Sequence, residues 1–562
     1  MGGSILTSLL LSIVLGLLQA QLAQSLFPDA LLRPPPVKVT LSGPHGGNAT
    51  FQQLINHTNP SLGTFSQLYY WNTTYWKGPG SPVVFFTPGE SAAAGYSLFL
   101  TTESLTGLYA EALGAAIIIF EHRYYGKSSP FEVLDTRNLQ YLTLANAIAD
   151  SVHFAKAVKL PFDKSGKSNA PSAPWIFVGG SYPGALAAWT EKVSPGTFWA
   201  YHASSAPVQA IYDFWSYYLP VQEGMPRNCS SDFSKISMHV DDIIESKNYK
   251  QIASLKKSFG LHALKHDDDF ASAVASPVNM WQGIQLVGND STFFQMCDTI
   301  EGVHPVDLNG TGNGNSTIAA TVVGPSGVGT VKALANYASW FKHEWLPMFC
   351  YWSSGAKYDA TYKDYKDPMS VGCLDSYNTS SPVFSDLRVN NTANRQWMWL
   401  LCNEPFFWWA AAALEEDGIL SLLPRAVSTD YQQRLCGVFF PKEGNATFGS
   451  HGGKTAHDVN RLTDGWNLTN TTRVLWVNGE FDPWRSASVS SELRPGGPLK
   501  STKKAPVILI KGARHCNDMF TVTGKVNADV GRAQNLSIWQ MKTWVEDFYL
   551  PAEQRRAKEW AA

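Results

Sequence analysis

Short apolar runs that end in turns, with helical segments between them, constrain this chain more than any other feature. Residues 82–87 and 115–120 are strand-length and apolar, and they stop at Pro88-Gly89-Glu90 and at Glu121-His122-Arg123-Tyr124-Tyr125-Gly126. A third run, 175–178, stops at Gly179-Gly180. Segments 98–113 and 142–160 carry apolar positions at helical spacing, 185–193 suits a helix, and 64–71 and 198–206 read as further strands. Short wholly apolar strands alternating with helices specify a parallel sheet covered on both faces. From about residue 208 to 464 the alternation stops, giving way to helical stretches, six of the seven cysteines and a Gly/Ser/Thr/Asn segment at 309–329. It resumes at 473–478 and 507–510, and a terminal helix follows over about 533–549. A chain of 562 residues has room for several domains. The economical reading is one α/β domain in two parts, 48–207 and 466–562, interrupted by a mostly helical insertion, 208–465. No short-period repeat is present.

Three strand-to-turn junctions carry candidate chemistry. In Gly179-Gly180-Ser181-Tyr182-Pro183-Gly184, a serine stands in a tight turn between a strand and a helix. Small neighbours allow the backbones to approach, the hydroxyl projects above the sheet, and the next N–H can face an oxyanion. Pro183 replaces the last small residue of the G-x-S-x-G pattern, although proline is tolerated in a first helical turn. The hexapeptide also reads as an ordinary glycine-rich βα turn. Asp482, in Asn478-Gly479-Glu480-Phe481-Asp482-Pro483-Trp484, follows a strand and suits an imidazole orienter, or is a common turn Asp before Pro. His515 follows strand 507–510 and suits a general base, or is a lone surface histidine. Taken together they fall in the chain order Ser, Asp, His, each after a strand, which is the order of an α/β-hydrolase triad.

These motifs, with Gln396-Trp397, Cys402-Asn403-Glu404-Pro405-Phe406-Phe407, Tyr69-Tyr70-Trp71, Trp199-Ala200-Tyr201-His202-Ala203 and His515-Cys516, resemble the prolyl-specific serine peptidases. That family includes Pro-X carboxypeptidase, dipeptidyl peptidase II and the fungal secreted acid prolyl endoproteases, and the likeness to the last is greatest. The resemblance implies an α/β-hydrolase fold with a helical cap over the active site, a triad of Ser181, Asp482 and His515, and cleavage after proline at acidic pH. It implies oxyanion donors at the N–H of Tyr182 and of Gly89 or Glu90. Glu90 and Glu404 stand at family-motif positions, where each is a substrate contact or a solvated acid. Trp484, Phe406, Phe407, Trp408 and Trp409 are candidates for an aromatic pocket or for core packing. Endoprotease action is the first reading. Carboxypeptidase or dipeptidyl-peptidase action, a lipase or carboxylesterase, and a non-catalytic hydrolase-fold binding protein are the alternatives.

The ends and the cysteines indicate a compartment. Residues 5–18 are almost wholly apolar, too short for a membrane span, and followed by small residues. They read as a signal peptide over 1–20, without a basic residue before the run, and 21–47 reads as a leader or linker. Thirteen N-x-Ser/Thr sequons suit N-linked glycans on a secreted, vacuolar or lysosomal protein. No later segment is long and apolar enough to span a bilayer. None of the seven cysteines forms C-x-x-C, so no metal or cofactor is called for. The expected pairs are Cys229–Cys297, Cys350–Cys373 and Cys402–Cys436, which close the shortest loops, with Cys516 free. Lys plus Arg is 44 against 46 Asp plus Glu, a balance without the basic surface that nucleic acid requires. The partners that the resemblance implies are proline-containing peptides or proteins.

Overall fold

A computed structural model describes residues 45–287, 291–303, 323–346, 368–391, 393–414 and 418–555. The signal-like segment, nearly all of the leader, and Cys350 of the expected Cys350–Cys373 pair lie outside the described residues. The described residues form ten strands: β1 Gly46–Leu54, β2 Thr64–Asn72, β3 Val83–Phe86, β4 Ala116–Phe120, β5 Trp175–Gly180, β6 Ala200–Ser204, β7 Ile211–Asp213, β8 Phe407–Trp409, β9 Val474–Gly479 and β10 Val507–Ile510. Eight build one sheet in the order β1-β2-β4-β3-β5-β6-β9-β10. The β1–β2 and β2–β4 pairs are antiparallel, and every later pair is parallel.

The parallel strands are apolar because both faces are covered. On one face Phe85 packs against Phe177 at 4.9 Å, Phe198 at 5.3 Å and Phe120 at 5.5 Å between ring centroids. On the other, Ile117, Ile119, Val178, Leu475 and Val477 meet Met541, Trp544 and Val545 of the terminal helix, Ala528–Phe548. Burying each such side chain contributes about 1.5–3 kcal/mol before chain entropy is counted. The helix Leu144–Ala157 crosses the first face. Thr143 caps it by accepting from the Asn146 N–H, and the Leu144 N–H donates to Glu404 Oε1.

Two local features differ from the sequence reading. The first strand begins at Gly46, just inside the stretch read as leader. Its residues alternate between partly buried and exposed, as suits an antiparallel margin, and lack the apolar run by which strands were sought. The helical segment 98–113 is two pieces, a 3-10 stretch Ala93–Leu100 and a helix Leu105–Leu113. The Thr101 carbonyl that accepts from the Ser104 N–H and Oγ lies 1.9 Å from where a Cβ on Gly107 would stand. The turn and the second helix thus meet backbone to backbone.

Between β6 and β9 the chain leaves the sheet and forms a mostly helical insert. Its longer helices are Arg227–Glu245, Tyr249–Ser258, Asp267–Ala275, Thr292–Glu301, Thr330–Trp340, Arg395–Asn403 and Thr429–Phe439. The Cys229–Cys297 disulfide ties the first of these to Thr292–Glu301, and Cys402–Cys436 ties Arg395–Asn403 to Thr429–Phe439. Both pairs are those expected from the sequence, and Cys516 is free and buried. Arg395 clamps the insert to the body by donating to the carbonyls of Leu134, Phe384 and Phe439. One parallel sheet, two antiparallel strands at its margin and a helical insert before the last two strands make this an α/β-hydrolase fold. Among the described residues no helix is long and apolar enough to cross a membrane.

Candidate active site

The three junctions converge at one edge of the sheet. After β5 the backbone turns sharply through Ser181, at φ 64° and ψ −133°, and enters the helix Tyr182–Val193. A non-glycine residue at positive φ is strained and persists only where its surroundings hold it. Here the Ser181 N–H donates to the Ser204 carbonyl at 2.9 Å and its own carbonyl accepts from Ala185. Glycines make the turn possible. A Cβ on Gly179 would lie 2.1 Å from the Pro183 carbonyl oxygen, and one on Gly184 would lie 2.6 Å from that of Ser204.

The turn after β3 leans on this elbow. Gly89 has φ 66°, and a Cβ there would stand 2.4 Å from Pro183 Cγ and 3.2 Å from Tyr182 Cδ1. The Gly89 N–H donates to Thr87 Oγ1 at 3.2 Å, and the Glu90 carbonyl accepts from Asn394. Glu90 is buried, and after burial itself it is the next cause raising the Tyr182 phenol well above its usual range. The motif from Glu121 to Gly126 underlies the same region. The Glu121 carboxylate accepts from the N–H groups of Ala93 and Lys127 and from Ser128 Oγ. His122 Nε2 meets the Tyr182 hydroxyl at 3.1 Å, and burial lowers its pKa to about 4, so the ring is neutral. Arg123 is fully enclosed, paired with Asp150 and donating to the carbonyls of Leu54, Ile55 and Tyr141.

Asp482 and His515 are brought together by two loops that are tied to each other. The Phe481 N–H donates to Ala513, the Gly512 N–H donates to Glu480 Oε2, and a Cβ on Gly479 would lie 2.4 Å from the Arg514 carbonyl. Asp482 Oδ1 then sits 2.9 Å from His515 Nδ1 and also accepts from the Trp484 N–H at 3.0 Å. The ring's other nitrogen, Nε2, is buried and has no hydrogen-bond partner. Burial works against a charge on this imidazole, neighbouring Cys516 and Asp482 work for it, and the net direction is upward. The His515 loop reaches the elbow through Cys516. Its N–H donates to Ser205 Oγ, and its Sγ lies 3.0 Å from where a Cβ on Gly180 would stand. Asp518 anchors the loop from below, accepting from Ser204 Oγ and pairing with His202.

Trp484 is buried beside this pair, its ring 6.3 Å from His515, 5.4 Å from Tyr217 and 5.5 Å from Trp408. Its indole N–H donates to Gln282 Oε1, which also accepts from the Tyr217 hydroxyl. Tyr217, Tyr218, Gln282, Trp408 and Trp484 line a largely apolar cavity of about 180 Å³. Of these, Trp408 was among the aromatics singled out in the sequence, whereas Tyr217, Tyr218 and Gln282 come from parts of the insert where no motif signals them. Phe406 is wholly buried, stacked on Trp189 and Trp408. The side chain of Phe407 lies outside the described residues. Glu404 has both oxygens engaged, one by the Leu144 N–H and one by Lys454. That places it as a helix anchor and ion-pair partner rather than an open acid. Among the described residues no cluster of three or more His, Cys, Asp or Glu side chains is arranged for a metal ion.

A serine on a strained elbow, with a carboxylate–imidazole pair whose outer nitrogen is unused, is the apparatus of a serine hydrolase. The serine carboxypeptidase S28 family model matches residues 52–301 and 348–535. Serine protease vicPb of Bipolaris victoriae is 43% identical over 541 residues, covering 96% of this chain and 95% of that protein. Serine protease vicPa of the same organism is 46% identical over 504 residues, covering 90% of each. A probable extracellular serine carboxypeptidase of Arthroderma benhamiae is 29% identical over 80% of this chain and 59% of that protein. The chain belongs to the S28 family and is a serine-type peptidase.

Proposed function

We propose that the chain hydrolyses peptide bonds after proline through an acyl-enzyme, with Ser181 as nucleophile, His515 as base and acid, and Asp482 as orienter. The observation that carries the reading is the Asp482–His515 pair at 2.9 Å, its Nε2 unpartnered, tied through Cys516 to the elbow of Ser181. Ser181 Oγ attacks the carbonyl carbon while its proton passes to His515 Nε2. That proton then goes to the leaving amine as the C–N bond breaks. Water attacks the resulting ester by the same route in reverse, releasing the acid and restoring the serine. The oxyanion is held by the N–H of Tyr182, at a helix N-terminus, and by a second N–H from the Gly89–Glu90 turn. Because Gly89 already donates to Thr87 Oγ1, we assign the second donor to Glu90.

The aromatic cavity at Trp484 suits a proline ring, which is compact and enters with φ already fixed. We read the enzyme first as a prolyl endoprotease, with exopeptidase action as the alternative. An acidic working range draws support from the insert, where burial pushes Asp241 up to about 6 and Glu301 up to about 7. His515 opposes it, since its raised affinity for a proton favours the ionised ring, which cannot accept one from Ser181. The disulfides Cys229–Cys297 and Cys402–Cys436 fit a secreted or lumenal site. The sequon residues Asn48, Asn378, Asn390, Asn445, Asn467, Asn470 and Asn535 are exposed, as N-linked glycans require. Incubating the protein with internally and terminally blocked proline peptides over a pH series, and identifying the products, tests specificity, end preference and pH range together. Preference for Phe, Lys or a fatty acyl group over proline would refute the specificity.

A further inference from the structure

We infer that Arg514 receives a substrate carboxylate on the leaving-group side of the scissile bond, an inference that rests on the peptidase reading of the same site. Four arginines of the described chain are buried: Arg123, Arg395, Arg485 and Arg514. The first three are provided for, Arg123 by Asp150 and three carbonyls, Arg395 by three carbonyls, and Arg485 by Glu223. Arg514, 9% exposed, has no hydrogen-bond or ion-pair partner for its guanidinium among the described residues, and its Nε is wholly buried and unused. The group is held in place by stacking, 4.2 Å over Trp281 and 5.7 Å from Phe294. Burial lowers its pKa to about 10, which leaves it charged at any working pH. An enclosed cation without an anion is costly unless a ligand supplies one.

A second unused donor lies nearby. Gln285 Nε2 is buried without a partner, while its Oε1 accepts from Asn517 Nδ2. The same Asn517 accepts from the Arg514 N–H through Oδ1. Two donors with nothing to donate to among the described residues, joined through one asparagine, suit a carboxylate, which accepts on both oxygens.

The position relative to the chemistry assigns the side. Arg514 immediately precedes His515. Its platform, Trp281, donates to the carbonyl of Phe481, which precedes Asp482. The next residue, Gln282, holds Trp484 and Tyr217 over the proposed proline cavity. One short turn of the insert, Ser276–Gly283, therefore serves both the acyl pocket and Arg514. With the acyl residue at Trp484, the remaining flank of His515 faces the amine it must protonate. The carboxylate is then either the free C-terminus of a short leaving segment or an Asp or Glu side chain near its start.

Two substrate pairs separate these sources. The first is a blocked Ala-Pro-Phe peptide as free acid and as amide. The second is a blocked, amidated peptide with Glu or Gln after proline. The expected result is that kcat/KM favours the charged member of at least one pair by about 10–100-fold. Arg514→Gln abolishes that preference while leaving the neutral substrate within about threefold, and Arg514→Lys keeps part of it. Serine-phosphonate titration normalises each preparation to its competent fraction. Should Arg514→Gln not fold, inhibition of the wild type decides: free phenylalanine or glutamate must inhibit more strongly than its amide. No charge preference in either wild-type pair, or an equal loss on all four substrates in Arg514→Gln, overturns the inference. Failure to cut after proline overturns the proline reading alone, since the charge pairs are then built on whichever acyl residue is preferred.

Discussion

Replacing Trp484 by Ala asks whether the cavity beside the proposed triad is the proline pocket. The indole is 4% exposed, meets Tyr217, Trp408 and Phe214 at ring distances of 5.4, 5.5 and 5.7 Å, and donates to Gln282. Its removal costs about 3–5 kcal/mol of stability, the usual range for a buried Trp→Ala change. The triad itself should survive, because Asp482 caps the backbone N–H of residue 484 and not its side chain. If the ring contacts the substrate proline, the lost contact is worth about 1–3 kcal/mol in the transition state, or roughly 10–200-fold in kcat/KM. A small activated ester, which does not fill the cavity, should lose less than about threefold by the same reasoning. Trp484→Phe retains an aromatic face and loses only the bond to Gln282, so it should fall between the two. Rates on a chromogenic proline peptide and on the ester, each divided by the phosphonate-titrated enzyme, make the comparison independent of misfolded material. Equal losses on both substrates would refute the pocket and leave Trp484 as support for the Asp482 loop.

Three further outcomes follow from the geometry. Ser181→Ala should fold normally, since the elbow depends on its glycines and its backbone bonds, yet retain less than about a tenth of wild-type peptidase activity. Gly89→Ala should cut activity strongly while the sheet persists. It places a Cβ 2.4 Å from Pro183 Cγ at φ 66°, a conformation that costs an L-residue about 1–2 kcal/mol. Labelling by the phosphonate at wild-type speed would show that this turn does not shape the oxyanion site. Glu301 is buried and is pushed up from 4.5 to about 7, first by burial and then by Asp232. The folded chain therefore holds this proton more tightly than the unfolded chain. The stabilisation is complete below pH 4.5 and is lost as pH rises through about 7. Glu301→Gln should flatten the fall in Tm across that window, and parallel wild-type and variant profiles would refute it.

How much of this was legible in the sequence depended on whether a residue's task was local. Val83–Phe86, Ala116–Phe120 and Trp175–Gly180 had to be central strands, because an uninterrupted apolar run of that length must be buried on both faces. Gly46–Leu54 escaped notice for the complementary reason. A polar, alternating strand at the sheet margin resembles a linker until its partner is known. The serine turn was readable because the glycines it requires lie within five positions of Ser181. Glu404 shows the opposite case. It stands in a family motif, which invited a substrate role, yet its task is to bind the Leu144 N–H and Lys454. Neither partner is within forty residues, so no local pattern announces the bond.

The same distinction separates chemistry from specificity. The proposed nucleophile, base and orienter each sit at the end of a strand, where the sheet dictates a short, recognisable loop. The groups that would choose the substrate do not. Gln282, Tyr217 and Trp408 belong to the insert and reach Trp484 only because that insert folds back over β9 and its loop. Arg514 is adjacent to the proposed catalytic histidine in sequence, yet its character depends on Trp281, more than two hundred residues away. In isolation Arg514 reads as one more loop arginine. Placed on that ring, with no anion to meet it among the described residues, it becomes the basis of the proposed carboxylate site. Insert packing can thus diverge with little effect on the proposed triad, because the strands that carry it are held by their pairings within the sheet. Exchanging the turn Ser276–Gly283 together with Gln285 for the matching segment of a relative should therefore move charge preference and proline preference together, while the rate on a small neutral ester stays within about threefold. A shift in only one preference would show that the two subsites do not share this turn.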